Sequence, residues 1–178
     1  MSASNKFIFM FLKIIAWLIF VGLGIEAGGL IVNFFFSVFK PAMVTNLYQK
    51  MDLSFLYDSS KAVYYSVYGL LLAVALLKWT LFYHVIMMVS YLDLKKPFSN
   101  AVSKHLSRIS LYTLLVGLIS YAAQITVAQL HQQGYDLAML HKYWEDGEAF
   151  LFMAAILYII TTIFKTGVAL QTENDLTV

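Results

Sequence analysis

The sequence contains no cysteine, and this absence excludes disulfide bonds, thiolate metal ligands and thiol catalysis. Charged residues are scarce, at 12% of the chain, against roughly 25% in soluble domains. The GxSxG, HExxH, Walker and Rossmann patterns are also missing, and the glycines of the Gly22-x-Gly24 stretch lie inside an apolar run. We therefore predict a protein that is not an enzyme, needs no cofactor and does not bind nucleic acid directly.

Hydrophobic residues are abundant, at 61% of 178 residues. A soluble fold of this length could not bury so much apolar surface, so part of the solvent must be lipid. Four segments exceed the length of about 20 apolar residues that a spanning helix needs. They cover about residues 6–39, 62–92, 101–130 and 148–170. The sequence predicts an all-α fold, an integral membrane four-helix bundle that forms a single transmembrane domain over residues 1–178.

The charged loops predict the orientation of this bundle. The connection between the second and third spans carries four cations against Asp93 alone, whereas the connection before the fourth span is mainly acidic. The four cations are Lys95, Lys96, Lys104 and Arg108. Because cytoplasmic loops are enriched in Lys and Arg, this connection and both termini are predicted to be cytoplasmic. The basic loop is either an ordinary topology signal or a surface that attracts anionic lipid.

Two ionisable residues lie near the middle of predicted spans, and such residues are costly in lipid unless they are paired or hydrated. Glu26 belongs to the first span and Lys78 to the second, at depths about 6 Å apart by helix geometry. We predict that their side chains pair or share a water molecule. The pair would either serve gating or ion coupling, or fix the register of the helices.

Other polar residues at membrane depth have more ordinary interpretations. Gln124 in the outer half is expected to form a hydrogen bond inside the bundle. His84 in the inner half is expected to be a satisfied interior histidine, with a proton switch as the alternative. Lys13 and Lys165, also in the inner half, are expected to extend toward the cytoplasmic interface.

The acidic outer connection contains imidazole and carboxylate groups that suit divalent cations. The weak candidate ligands are His131, His141 and Asp136. Their spacing matches no specific metal motif, so a solvated acidic surface is the preferred interpretation and no metal site is predicted.

Two stretches carry a family resemblance. Leu94-Lys-Lys-Pro-Phe-Ser99 resembles the cytoplasmic turn, and Asp175-Leu-Thr-Val178 the C-terminal end, of a bacterial family of small four-helix membrane proteins classed as a domain of unknown function. Members of that family are described beside genes for small helix-turn-helix repressors. The resemblance implies a multi-pass protein of the bacterial inner membrane that partners a cytoplasmic transcription regulator.

Three functions follow as hypotheses. The first is a sensory or regulatory membrane protein whose cytoplasmic partner surface comprises the basic turn and the tail residues Asp175, Leu176, Thr177 and Val178. A frayed or locally docked tail is the alternative interpretation of those four residues. The second hypothesis is a small transporter or channel subunit that uses Glu26 and Lys78. The third, a membrane enzyme, has only the outer His/acid group to support it. The composition predicts the lipid bilayer as a partner, and the sequence is compatible with both a monomer and a homo-oligomer.

Overall fold

The computed structural model describes residues 3–93 and 97–176, with side chains for residues 7–40, 44–93 and 97–174. Four long helices dominate it, and no strand occurs within these ranges. They are α1 (Ala3–Phe39), α3 (Lys61–Tyr91), α4 (Asn100–Gln132) and α5 (Gly147–Leu176), with the short α2 (Ser54–Ser59) between the first two. All four long helices are long and apolar enough to cross a membrane. The predicted all-α fold with four spanning helices is confirmed.

Local chemistry sets the helix boundaries. α1 ends one residue before Lys40, and a 3-10 helix, Pro41–Asn46, follows it. A second 3-10 helix covers Tyr48–Lys50. Ser99 Oγ accepts a hydrogen bond from Val102 N at 3.3 Å and caps α4. Asp52 Oδ1 accepts bonds from the Ser54 hydroxyl and backbone N–H at the start of α2, and these bonds lower the pKa of Asp52.

The four long helices pack mainly against their neighbours in sequence: α1 on α3, α3 on α4, and α4 on α5. Small residues let some of these helices approach closely. A Cβ atom added at Gly117 of α4 would lie 2.9 Å from the backbone N of Leu151 in α5. A Cβ atom added at Gly24 of α1 would lie 3.0 Å from Trp79 Nε1 in α3. These contacts fix the relative depths of the helices.

The connections on the predicted outer side fold into a compact layer. We call residues 40–60 and 133–146 the outer cap. Its apolar side chains form one hydrophobic cluster with side chains from the adjoining ends of the long helices. Trp144 and Leu140 from the second connection, and Tyr64 and Tyr68 from α3, are almost fully buried there. Most of the bulky buried side chains that the structure describes therefore lie at this end of the molecule.

The helix α5 begins level with the middle of α4 and ends beyond the turn that precedes α4. A Cβ atom added at Gly147 would lie 3.0 Å from Ser120 Cβ, although α4 continues to Gln132, about 18 Å further. The chain before α5 therefore descends along α4 into the protein. At the other end a Cβ atom at Gly167 would contact the Phe98 ring, yet α5 continues to Leu176, about 13 Å further. α5 thus ends six residues beyond the predicted residue 170.

Candidate functional site

The polar residues of the predicted outer half meet around the segment that descends to the start of α5. Lys78 Nζ donates a hydrogen bond to the backbone carbonyl of Tyr143 at 3.1 Å. The same ammonium lies 5.5 Å from the centre of the Phe150 ring, in the geometry of a cation–π contact. The lysine of α3 therefore binds the connection between α4 and α5, at a residue more than fifty positions after the end of α3.

The next carbonyl of this segment has a partner on α4. Gln124 Nε2 donates to Trp144 O at 2.5 Å, which agrees with the internal hydrogen bond expected for this glutamine. Non-helical backbone at membrane depth is tolerated only where protein or water satisfies its polar groups. Lys78 and Gln124 supply donors to two consecutive carbonyls. Their structural role is to let an irregular segment enter the bundle.

Glu26 and Lys78 form no direct ion pair, which is one of the two alternatives that the sequence predicts, the other being a shared water molecule. In the part of the chain that the structure describes, no hydrogen bond or salt bridge joins the two side chains, because the ammonium of Lys78 is directed to Tyr143 O. The two residues nevertheless lie at similar depth, since Gly24 and Trp79 are in contact and each lies within two residues of the predicted pair. Depth alone, however, does not fix the direction in which a lysine stem extends.

Tyr143 interacts with both predicted residues, through its backbone carbonyl and through its phenol. Its carbonyl binds Lys78, and its phenol interacts electrostatically with Glu26. The Tyr143 hydroxyl is buried and has no hydrogen-bond partner among the described groups. The half-buried Glu26 carboxyl also makes no hydrogen bond there. A buried hydroxyl without a partner costs about 1–3 kcal/mol, so this place is polar and its hydroxyl is unsatisfied.

A second polar contact, which the sequence analysis missed, lies in the predicted inner half. His84 Nδ1 and His105 Nδ1 are 3.1 Å apart and join α3 to α4. Tyr112 stacks on His84, and Tyr91 stacks on His105. A signal for this pair was present in the sequence. His84 precedes the end of α3 by seven residues and His105 follows the start of α4 by five, so an antiparallel hairpin brings them to similar depth.

The two histidines share one hydrogen bond, in which one Nδ1 donates and the other accepts. His84 is buried, as expected for a satisfied interior histidine. The ring nitrogens can hold or exchange a proton, but no third His, Asp or Glu stands with them as a metal ligand within the described residues.

The predicted cytoplasmic partner surface is described only in part. Lys104 and Arg108 are exposed on the first turns of α4. Asp175 and Leu176 belong to the last turn of α5, although their side chains lie outside the described residues. Four further members lie outside the described residues entirely: Lys95, Lys96, Thr177 and Val178.

The weak metal candidates of the outer connection each have a local partner. His141 Nδ1 lies 3.2 Å from Glu145 Oε2, one helical turn away on the surface. Asp136 Oδ1 accepts a hydrogen bond from Ala138 N at 3.2 Å at the start of a 3-10 helix, Ala138–Tyr143. His131 Nδ1 lies 3.4 Å from Tyr135 O. The structure does not bring these three residues together within its described parts as a metal site.

Comparison with known proteins adds a family. The model of a family described as protein of unknown function DUF2975 matches residues 47–178. The chain belongs to this family. The match covers the outer cap from Leu47 onward, α3, α4 and α5, and begins after α1. For this DUF2975 protein no curated protein and no solved structure gives a match. The membership agrees with the resemblance to a domain of unknown function, and it assigns no activity.

Proposed function

We propose that this DUF2975 protein is a non-enzymatic regulatory protein of the bacterial inner membrane, which senses a condition on the outer side and engages a cytoplasmic protein such as a small transcription regulator. One observation carries the proposal. The helix α5 runs without interruption from Gly147, beside the outer cap, to Leu176, beyond the level of Phe98. A single helix therefore connects the most densely packed part of the protein to the predicted cytoplasmic surface.

The geometry suits transmission by rigid movement. The segment before α5 is held by Lys78 and Gln124 through two carbonyls, so a change in the cap that alters these bonds acts directly on the start of α5. A helix of thirty residues transmits a shift or rotation along its axis to its far end. Lys104 and Arg108 stand exposed at the same end and would provide the charge that a partner recognises.

A pull-down from membranes tests the proposal. The full chain and a chain that lacks residues 171–178 are compared, together with the double variant Lys104→Gln/Arg108→Gln. We expect a cytoplasmic protein that is recovered with the full chain and lost with the shortened chain or the double variant. As a matched control, Lys142→Gln removes a cation from the opposite side and should recover the same protein. Recovery of identical proteins by all four chains would contradict the proposal.

A transporter or channel subunit is the second candidate, and Glu26 favours it. This half-buried carboxyl at membrane depth has no hydrogen bond or salt bridge among the described residues, and such residues mark ion pathways in many membrane proteins. The engagement of Lys78 by Tyr143 O weakens this candidate, because one of its two proposed residues already has a structural role. Flux into proteoliposomes is compared for wild type and Glu26→Gln. Flux that Glu26→Gln abolishes would favour transport over regulation.

A further inference from the structure

A groove between α4 and α5 opens on the face of the protein that meets lipid. Its volume is about 850 Å³, and residues from Leu151 to Lys165 of α5 and from Ser107 to Leu114 of α4 line it. Those residues of α5 cover about 21 Å along the helix axis, compared with about 15 Å for one leaflet of the hydrocarbon core. The groove therefore extends from the inner interface to beyond the middle of the membrane.

Three hydroxyl groups in the walls of this groove already have hydrogen-bond acceptors. Thr161 Oγ1 donates to Leu157 O at 2.7 Å, Thr162 Oγ1 to Tyr158 O at 3.0 Å, and Ser107 Oγ to Ser103 O at 3.0 Å. Because each of these hydroxyls donates to its own helix, none of them requires a polar ligand. An alkyl chain in the groove would meet no donor left without an acceptor at these three positions.

The inner end of the groove is positively charged. Lys165 lines it and is exposed, and Lys104 lies one turn from Ser107 on the same face of α4. No Asp or Glu occurs between Pro97 and Tyr135, or between Ala149 and Thr172, so neither helix supplies a carboxylate at this depth. The two lysines stand where the headgroups of the inner leaflet begin.

We propose that the α4–α5 groove binds one anionic phospholipid of the inner leaflet, with an acyl chain along the groove and the phosphate between Lys165 and Lys104. The charge decides between this occupant and a second copy of the chain. A two-fold pairing of this face about an axis normal to the membrane would place both copies of Lys165 at the same depth, without a carboxylate to compensate them. An anionic lipid instead supplies both a phosphate that compensates the lysines and an acyl chain that fills the apolar groove.

Native mass spectrometry of the purified full chain tests this site. The protein is incubated with equal amounts of phosphatidylglycerol and phosphatidylcholine that carry the same acyl chains. We expect wild type to retain one phosphatidylglycerol in preference to phosphatidylcholine. Lys165→Gln and Lys104→Gln should each reduce this preference about fivefold, and Lys165→Arg should preserve it. Ala155→Phe, which fills the groove from an exposed position, should reduce retention of both lipids.

The control is Lys13→Gln, which removes a cation from the inner half of α1, away from the groove. It should leave the preference unchanged. Equal retention of the two lipids by wild type would overturn the proposal, and so would an equal loss of preference in Lys13→Gln and Lys165→Gln. A dimer that Ala155→Phe dissociates would identify a second copy as the occupant instead. Thermal melting of each variant separates loss of the site from loss of the fold.

Discussion

The contact between Gly117 and Leu151 allows a quantitative test of the helix arrangement. In Gly117→Ala the new Cβ would lie 2.8 Å from Leu151 Cγ and 2.9 Å from Leu151 N. A change of rotamer can move the side-chain atom but not the backbone nitrogen, so α4 and α5 must separate by several tenths of an ångström. Such overpacking costs about 1–3 kcal/mol. The higher helix propensity of alanine returns at most about 1 kcal/mol, so we expect net destabilisation.

Gly69→Ala is the matched control for this substitution. Gly69 also lies in the interior of a long helix, is exposed, and has nothing within 4 Å of its added Cβ. Only the propensity gain applies there. The difference between the two variants in free energy of unfolding should therefore be about 1–3 kcal/mol, with Gly117→Ala the less stable. Steric trapping in bicelles measures this difference. Equal stability of the two variants would show that the backbone of Leu151 in α5 does not approach Gly117 of α4 as closely as the structure indicates.

Three further predictions concern the polar contacts and the orientation. Gln124→Leu removes the donor to Trp144 O, and we expect it to lower the free energy of unfolding by about 0.6–1.7 kcal/mol in the same assay. His105→Phe keeps a ring beside the stacked aromatics but leaves buried His84 without its hydrogen bond, so we expect the free energy of unfolding to fall by about 1–3 kcal/mol. An unchanged free energy of unfolding would argue against the histidine pair. Because the chain has no cysteine, Thr172→Cys provides a unique site for labelling. If this end of α5 is cytoplasmic, a membrane-impermeant maleimide should react with it only after the membrane is permeabilised. Labelling in intact cells would show the opposite orientation.

The four helices could be predicted because lipid thickness imposes a simple length and composition on each of them. The observed starts of α3, α4 and α5 lie within one residue of the predicted 62, 101 and 148. The level at which α5 begins could not be predicted in this way. An acidic connection of about fourteen residues reads as an external loop, and only its tertiary contacts reveal that its last part descends along α4 to Ser120.

The polar site was predictable in its residues and not in its contacts. Glu26, Lys78 and Gln124 stand out in sequence because each is costly at membrane depth. Their partners include backbone carbonyls, which carry no sequence signal, so Tyr143 and Trp144 could not be identified as acceptors. The His84–His105 contact is different. Both residues are visible in the sequence, and counting outward from the Pro97 turn along two antiparallel helices places them side by side.

These contacts change what the intramembrane charges indicate. An isolated Lys78 suggests an ion pathway, but a lysine that satisfies the carbonyl of a descending segment already has a sufficient structural reason to exist. The same argument applies to Gln124. It does not apply to Glu26, whose carboxyl stabilises no described backbone group and interacts electrostatically with a buried phenol that has no hydrogen-bond partner among the described groups. Among the polar residues of the predicted outer half, Glu26 and Tyr143 are therefore where a functional role is best sought, and the bonds of Lys78 and Gln124 hold the segment that contains Tyr143.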